Sequence, residues 1–188
     1  MIQMRDVRPE DKKRIRQWRN LPEVAKYMYT DHHITSSEHE KWFQRILDEP
    51  TCRYWIIVCD GKDVGLANIS KLDRRNKRCD WAFYVADPST RGRGVGSYVE
   101  YFVLCHVFNE IGLNKLCCEV LEFNELVTNL HMSFGFRQEG LLREHVFKGG
   151  LPHNVVALSM LRSEWKALQP RIEERLRAKG LLSTGQVC

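Results

Sequence analysis

The chain has 188 residues, 43% of them hydrophobic, which suits one globular domain with a sizeable core. Its net charge of +5 comes from 29 basic and 24 acidic residues spread along the chain, without the basic stripe of a dedicated nucleic-acid binder. No run reaches membrane-spanning length, the first residues lack a signal-like apolar stretch, and seven cysteines without a Cys-x-x-Cys pair suggest neither a disulfide framework nor a zinc site. The expectation is a cytoplasmic protein with reduced cysteines in its core, no metal, no nucleic acid and no membrane.

The first residues, "IQMRDV", alternate as a short strand. "PEDKKRIRQWRN" opens with proline and acids, as the first turn of a helix should, and "PEVAKYMY" suits another helical turn. "TSSEHEKWFQRILDEP" places Thr35 three residues before Glu38, a capping-box spacing, and ends at Pro50. The period then changes. "RYWIIVCDGKDVGLANISKL" is two β-rich runs joined through Asp60-Gly61, a hairpin signal, and "CDWAFYVADP" is a third strand halted at Pro88. After "RGRGVG", a helix is expected to about Ile111, with Val95, Val99, Phe102, Val103 and Val107 on one face. "NKLCCEVL" reads as a strand and "NELVTNLHMSFG" as a short helix closed by Gly135. "FRQEGLLREHVF", the turn "KGGLP" and "HNVVALSML" form a final hairpin. The charged helix "SEWKALQPRIEERLRAKG" is expected to be interrupted or restarted at Pro170, and the last eight residues to fray. This order implies an α/β domain with a mixed, mostly antiparallel sheet flanked by helices and a strand–helix–strand crossover in its middle.

The crossover carries the chemical signal. A helix that starts directly after a glycine loop presents unsatisfied N–H groups and the positive end of its dipole. Gly92, Gly94 and Gly96 remove side chains that would hold a phosphate away from those donors, and Arg91 and Arg93 add charge. A pyrophosphate is a good physical guest, although an ordinary glycine turn has the same composition. The spacing is neither that of a Walker loop nor that of a dinucleotide fingerprint.

Arg91-x-x-Gly94-x-Gly96 after a strand, followed by "NKLCCEVLEFNELVTNLHMSFGF", resembles the GNAT acetyltransferase superfamily over roughly residues 2–165. The resemblance implies the GNAT fold with splayed central strands, residues 1–165 as the acetyltransferase domain, and 166–188 as a C-terminal helix and tail. It also implies acetyl-CoA as co-substrate. Its pyrophosphate would be held by Arg91, Gly92, Arg93, Gly94, Val95, Gly96 and Ser97, with Asn124 and Asn129 completing the cofactor site. Backbone N–H groups near Phe83 and Val85 would meet the thioester carbonyl. The reaction implied is direct transfer to a neutral amine, with a general acid protonating the thiolate. The family usually has a tyrosine as that acid; here His131 stands in its place. An imidazolium can donate near neutral pH, and a plain helix-packing role is equally compatible with the position. Glu119 and Glu122, on or just after the second splayed strand, are the candidate bases, one of which would act through water; ordinary surface carboxylates are the alternative reading.

"WRNLPEVAKYMYT", "KLCCEVLEFNE" and "LLREHVFKGG" look like the branch that acetylates the 4-amino group of a UDP-linked 4-amino-4,6-dideoxy sugar in pseudaminic acid synthesis. By that resemblance Arg19, His39, Ser70, Lys71 and Tyr84 are substrate-side, with Arg19 and Lys71 also readable as exposed structural charges, while Met28 and Tyr29 suit either a deoxysugar methyl and uracil or simple core packing. The alternatives are acetylation of a protein or peptide amine in the ribosomal-protein style, and a GNAT-like module that binds acetyl-CoA without turnover. A homodimer is among the expected states. Trp18, Trp42, Phe43, Trp55, Phe102 and Phe134 have core-compatible spacing. Cys117 and Cys118, adjacent on a strand, must face opposite sides of the sheet.

Overall fold

In the computed structural model, which describes residues 1–183, seven strands form one sheet. β1 (Ile2–Asp6) is followed by a 3₁₀ turn at Pro9–Asp11, α1 (Lys12–Arg19), the four-residue α2 (Pro22–Ala25) and α3 (Ser36–Asp48). The Thr35 hydroxyl accepts the Glu38 amide at 3.2 Å and starts α3, as the cap spacing predicts. β2 (Arg53–Cys59) and β3 (Lys62–Asp73) join through Asp60 and Gly61, both at positive φ, a mirror-image turn that matches strand twist. β4 (Arg78–Val85) leads through the glycine loop into α4 (Val95–Cys105), which ends in a π turn at His106–Glu110 rather than continuing as α-helix. β5 (Lys115–Leu121), α5 (Glu125–Phe134), β6 (Arg137–Lys148), β7 (Leu151–Leu161) and α6 (Arg162–Ala178) complete the order.

The sheet order is β1-β2-β3-β4-β5-β7-β6, antiparallel except for β4 beside β5. That pair is short. Arg78, Cys79 and Asp80 face Lys115, Leu116 and Cys117, after which the two strands part. β4 stays paired with β3 to Val85, and β5 with β7 to Leu121. The β5-facing backbone edge of residues 81–85 is therefore without a strand partner, the kind of exposed hydrogen-bonding edge that a ligand can use.

Two main cores cover the two faces, with a smaller cluster of Leu121, Val146 and Val155 beside them. One packs Trp81, Val95, Val99, Val103, Leu116, Cys118 and Trp165 under α4, α5 and α6; the other is smaller, with Ile15, Phe43, Ile56 and Leu66 under α1 and α3. Cys118 is buried on the first face and Cys117 half-exposed on the second, as strand alternation requires. Cys52, Cys59, Cys79, Cys117 and Cys118 are free thiols.

Two expectations at the C-terminal end are corrected. α6 runs unbroken through Pro170, which lies exposed inside the helix. An internal proline costs about 3 kcal/mol, and burial of Trp165 before it and of Ile172 and Leu176 after it offsets that cost. Residues 181–183 do not fray: Leu182 is buried in the larger core, and Leu181 packs beside Gly94. The rest of the expected frayed tail, 184–188, lies outside the described residues. Among the described residues, no helix is long and apolar enough to cross a membrane.

Candidate active site

The site lies where β4 and β5 separate, and it has two faces. On the α4 face, the glycine loop delivers the chain into α4 with Gly94 as the cap residue at φ 77°. The three glycines have different reasons. Gly92, at φ 76°, faces open space, so a side chain there would stand where a ligand would approach. A Cβ on Gly94 would lie 2.6 Å from Leu181, and one on Gly96 would lie 3.0 Å from Leu130 of α5. Gly92 thus leaves space open, while Gly94 and Gly96 let the C-terminal segment and α5 pack closely.

The first turn of α4, at Val95, Gly96 and Ser97, carries N–H groups without acceptors inside the helix. Arg91 is exposed and has no ion-pair partner among the described residues, whereas Arg93 is paired with Asp60 in the β2–β3 turn. Asp60 also holds the terminal amine of Met1, and these two cations draw its carboxyl down to about 2. A helix N-terminus, an open positive-φ glycine and a free arginine fit a pyrophosphate. Asn124 caps α5, its carbonyl accepting the amides of Val127 and Thr128, and Asn129 is exposed on the same helix. Phe83 turns towards Gly96 and stacks on Trp81, so the backbone of 83–85, rather than the Phe83 ring, faces the opening.

His131 is not the partly buried polar residue its helix position allows. It is 3% exposed, with its ring against Trp81, Phe83 and Phe136. Its Nδ1 lies 3.0 Å from Oε1 of Glu100, which is fully buried on α4 and which sequence reasoning passed over. Burial away from water raises the Glu100 carboxyl above its usual range, and His131 opposes that rise. Three further buried polar atoms lack a partner here: Oε2 of Glu100, Nε1 of Trp81, and the Thr128 hydroxyl on α5, one turn before His131. Such orphans are rare enough in folded proteins to suggest an unfilled contact.

On the opposite face, a cavity of about 530 Å³ is lined by Arg19, Thr30, Ser37, Lys41, Trp42 and Arg45, among others. Arg19, the last residue of α1, donates from Nη2 to the Thr30 hydroxyl at 2.8 Å, while Nη1 is buried without a partner. Burial lowers its affinity for a proton, which the nearby Tyr84 and Tyr54 oppose. The Tyr84 hydroxyl, on β4, is likewise buried and unpartnered, and burial pushes its pKa up. His39 lines this cavity, but its Nε2 is bonded to the Lys12 carbonyl at 2.8 Å, and the residue is buried. Its position is that of a joint between α1 and α3.

Lys71 and Ser70 are at the other end of the strand. Lys71 sits in a β3 bulge at φ 51° and pairs with Asp80 at 2.7 Å, where the β4–β5 opening starts. Glu119 accepts the Tyr29 hydroxyl at 2.7 Å. Desolvation and that carboxylate push the Tyr29 phenol up. Glu122 is held elsewhere, by the Asn154 amide at 2.9 Å, beside a separate shallow cavity against β7. The structure thus joins Arg19 with Tyr84, and Glu119 with Tyr29, and sets Glu122 apart.

Residues 26–35 connect these groups across the sheet face, and a residue missed in sequence anchors them. Lys148, at the end of β6, donates from Nζ to the carbonyls of Ala25, Met28 and Thr30 at 3.0–3.1 Å. The carbonyl of Met28 is thus tied to the β6–β7 hairpin. The signal was present in "FKGG" as a lysine before a turn, but nothing local said where its amine would reach.

The Acetyltransferase (GNAT) domain model matches residues 2–137, well over half of the chain. The SPbeta prophage-derived N-acetyltransferase YokL of Bacillus subtilis is 27% identical over 145 residues, 77% of this chain and 81% of that protein. The acetyltransferase PseH of Campylobacter jejuni is 22% identical over 131 residues, 70% of this chain and 80% of its own length. In fold, the chain is similar to the spermidine N-acetyltransferase of Vibrio cholerae, solved with CoA and spermine, at a TM-score of 0.81. The identity there is 19%, covering 88% of this chain and 98% of that one. Among the described residues no group of His, Cys, Asp or Glu side chains is arranged to hold a metal. The chain belongs to the GNAT acetyltransferases, and it is an enzyme that moves the acetyl group of acetyl-CoA to an amine.

Proposed function

We propose that the acceptor is the 4-amino group of a UDP-linked 4-amino-4,6-dideoxy sugar. The observation that carries this reading is the cavity under α1 and α3. Arg19, Lys41 and Arg45 place three cations around it, against one lining carboxylate, Glu38, which is itself bonded to His32 at 2.9 Å. The unpartnered Nη1 of Arg19 asks for an anionic acceptor atom, and a diphosphate supplies several. Trp42 offers an aromatic face on the cavity wall for a base or sugar. A polyamine would meet like charge there, which weighs against the acceptor seen in the Vibrio cholerae structure.

In this reading the sugar enters from the α1–α3 face and the thioester lies along the free edge of β4, its carbonyl oxygen near the amides of 83–85. The amine nitrogen attacks the carbonyl carbon, the carbon–sulfur bond breaks, and His131 gives its Nε2 proton to the departing thiolate. The new amide nitrogen loses its extra proton to solvent, with Glu119 as the nearer of the two candidate relays. Lys71, already paired with Asp80, sits at the start of the opening and contributes charge rather than a free donor.

A thiol-release assay with acetyl-CoA decides among acceptors. UDP-4-amino-4,6-dideoxy-N-acetyl-β-L-altrosamine is expected to turn over well, and the free amino sugar, spermidine and an N-terminal ribosomal-protein peptide poorly. Arg19→Ala is expected to raise KM for the UDP-sugar about tenfold or more, the range for a lost charged hydrogen bond, with KM for acetyl-CoA little changed. Faster turnover of the peptide or of spermidine overturns the reading, and release with none of these amines would favour a binding module.

A further inference from the structure

A glutamate on the inward face of α4 has no packing reason to be there. Its neighbours Val99, Val103 and Leu104 fill the same core, and a leucine would fit the pattern. Glu100 is fully buried and reaches a polar group of another element at one point, Nδ1 of His131. The ring of His131 in turn lies against Trp81 and Phe83, the two β4 residues just past the point where the sheet opens.

We propose that Glu100 is the positioning residue of the transfer reaction, its carboxylate holding the Nδ1–H of His131 so that Nε2 is left as the donor beside the β4–β5 opening. This rests on His131 being the acid. With Nδ1–H bonded to Glu100, Nε2 can donate only from the doubly protonated ring, and without a partner at Nδ1 the ring is free to turn over. The Glu100 carboxyl, 3.0 Å from Nδ1, removes that freedom. A tyrosine at this position would carry its own donor and need no partner, so the histidine and the buried glutamate make one unit.

The surroundings leave Glu100 as the group that governs the ring. Cys118 on β5 is buried with its thiol held well above the usual range, and so is neutral. Phe136 from the start of β6 and Trp81 from β4 bring no charge. Arg175 on α6 acts on Glu100 at longer range, with its guanidinium donating to the Ser133 carbonyl. Oε2 of Glu100 carries no hydrogen bond, so the carboxylate's bond to the ring is not shared with a competing donor.

The test is a cycle of wild type, Glu100→Gln, His131→Tyr and the double variant. It measures kcat against pH with acetyl-CoA and whichever amine of the panel above reacts fastest. It is paired with ring nitrogen shifts of His131 in the coenzyme A complex, which need no acceptor. The sign follows from the chemistry: transfer requires the imidazolium, so kcat falls as pH rises through its pKa. Glu100→Gln is expected to lower kcat about tenfold or more and to shift its pH profile and the ring nitrogen signals of His131, with coenzyme A affinity retained. In the His131→Tyr background the same change is expected to cost little. If Glu100→Gln lowers stability and kcat equally in both backgrounds, or leaves the limb and the ring shifts unmoved, the pairing is only structural and the proposal falls. If wild type and His131→Tyr share one limb, the acid is elsewhere and the reading beneath the proposal falls instead.

Discussion

The two faces of the β4–β5 opening are built differently. The α4 face is assembled mostly from contiguous chain: strand, glycine loop, helix, strand and short helix follow one another from residue 78 to residue 134, with Leu181 packing beside Gly94 from outside that stretch. The α1–α3 face is collected from distant places. Arg19 comes from α1, Thr30 from the loop after α2, Trp42 from α3 and Tyr84 from β4, and the loop is held by Lys148 from more than a hundred residues away. In the proposed reading the first face holds acetyl-CoA and the second selects the amine.

The largest test of this contrast is at His131. Its replacement by alanine is expected to lower kcat about 10²–10⁴-fold, the usual cost of a lost general acid, with coenzyme A affinity kept. His131→Tyr should retain more activity than the alanine variant. Turnover of His131→Ala within about threefold of wild type, below that range, would place the acid elsewhere.

The glycine loop gives the next effect and separates ligand space from packing. Gly94→Val puts a branched side chain at φ 77° and against Leu181, so it is expected to lose both thermal stability and coenzyme A affinity. The loop's exposure alone would suggest a tolerant site; the approach of Leu181 removes that tolerance. Gly92→Val, strained in φ but facing open space, should lose coenzyme A affinity with a smaller fall in melting temperature. Calorimetric titration with coenzyme A beside a thermal melt distinguishes the two, and equal losses at both positions would dissolve the distinction.

Lys148→Met probes the acceptor face. Three backbone carbonyls lose a charged donor, each such bond worth about 1.5–3 kcal/mol at most, and residues 25–30 lose their tie to the β6–β7 hairpin. The expected outcome is a higher KM for the amine with KM for acetyl-CoA unchanged. Steady-state kinetics in both substrates would show it, and a rise in both constants would mean that the two faces are not independent.

The smallest effect is at Asp60, which is exposed and pairs Arg93 and the terminal amine. Its carboxyl is depressed to about 2 in the folded protein. The pairing therefore favours the folded state above the ordinary aspartate range near pH 4, and that contribution is lost as pH falls through about 2. Asp60→Asn should melt slightly below wild type at neutral pH. The gap should close in about 1 M salt, where exposed charges are screened. A gap that persists in salt would point to a hydrogen-bonding role in the turn.

Much of the fold was legible because its signals are local. Asp60-Gly61 needs positive φ, Thr35 caps Glu38, Gly135 ends α5 at φ 102°, and each acts within a few residues of itself. Pro170 was misread for the same reason: the local rule breaks a helix there, while burial of Trp165, Ile172 and Leu176 lies in tertiary contacts that the rule does not see. The glycine loop pointed to the acetyl-CoA face because a phosphate site at a helix start is a property of contiguous backbone. Arg19 and His39 carried no local sign that both would line one cavity while His39 is spent on a joint between α1 and α3. Lys148 and Glu100 carried none at all. A long charged side chain declares its charge in sequence but not its direction, and direction is set by how distant elements pack. The sequence by itself therefore determined the scaffold and the family's shared chemistry. Tertiary structure alone decided that Glu100 stands behind His131 and that the cavity under α1 and α3 is lined by cations, because both depend on how separate helices and strands pack.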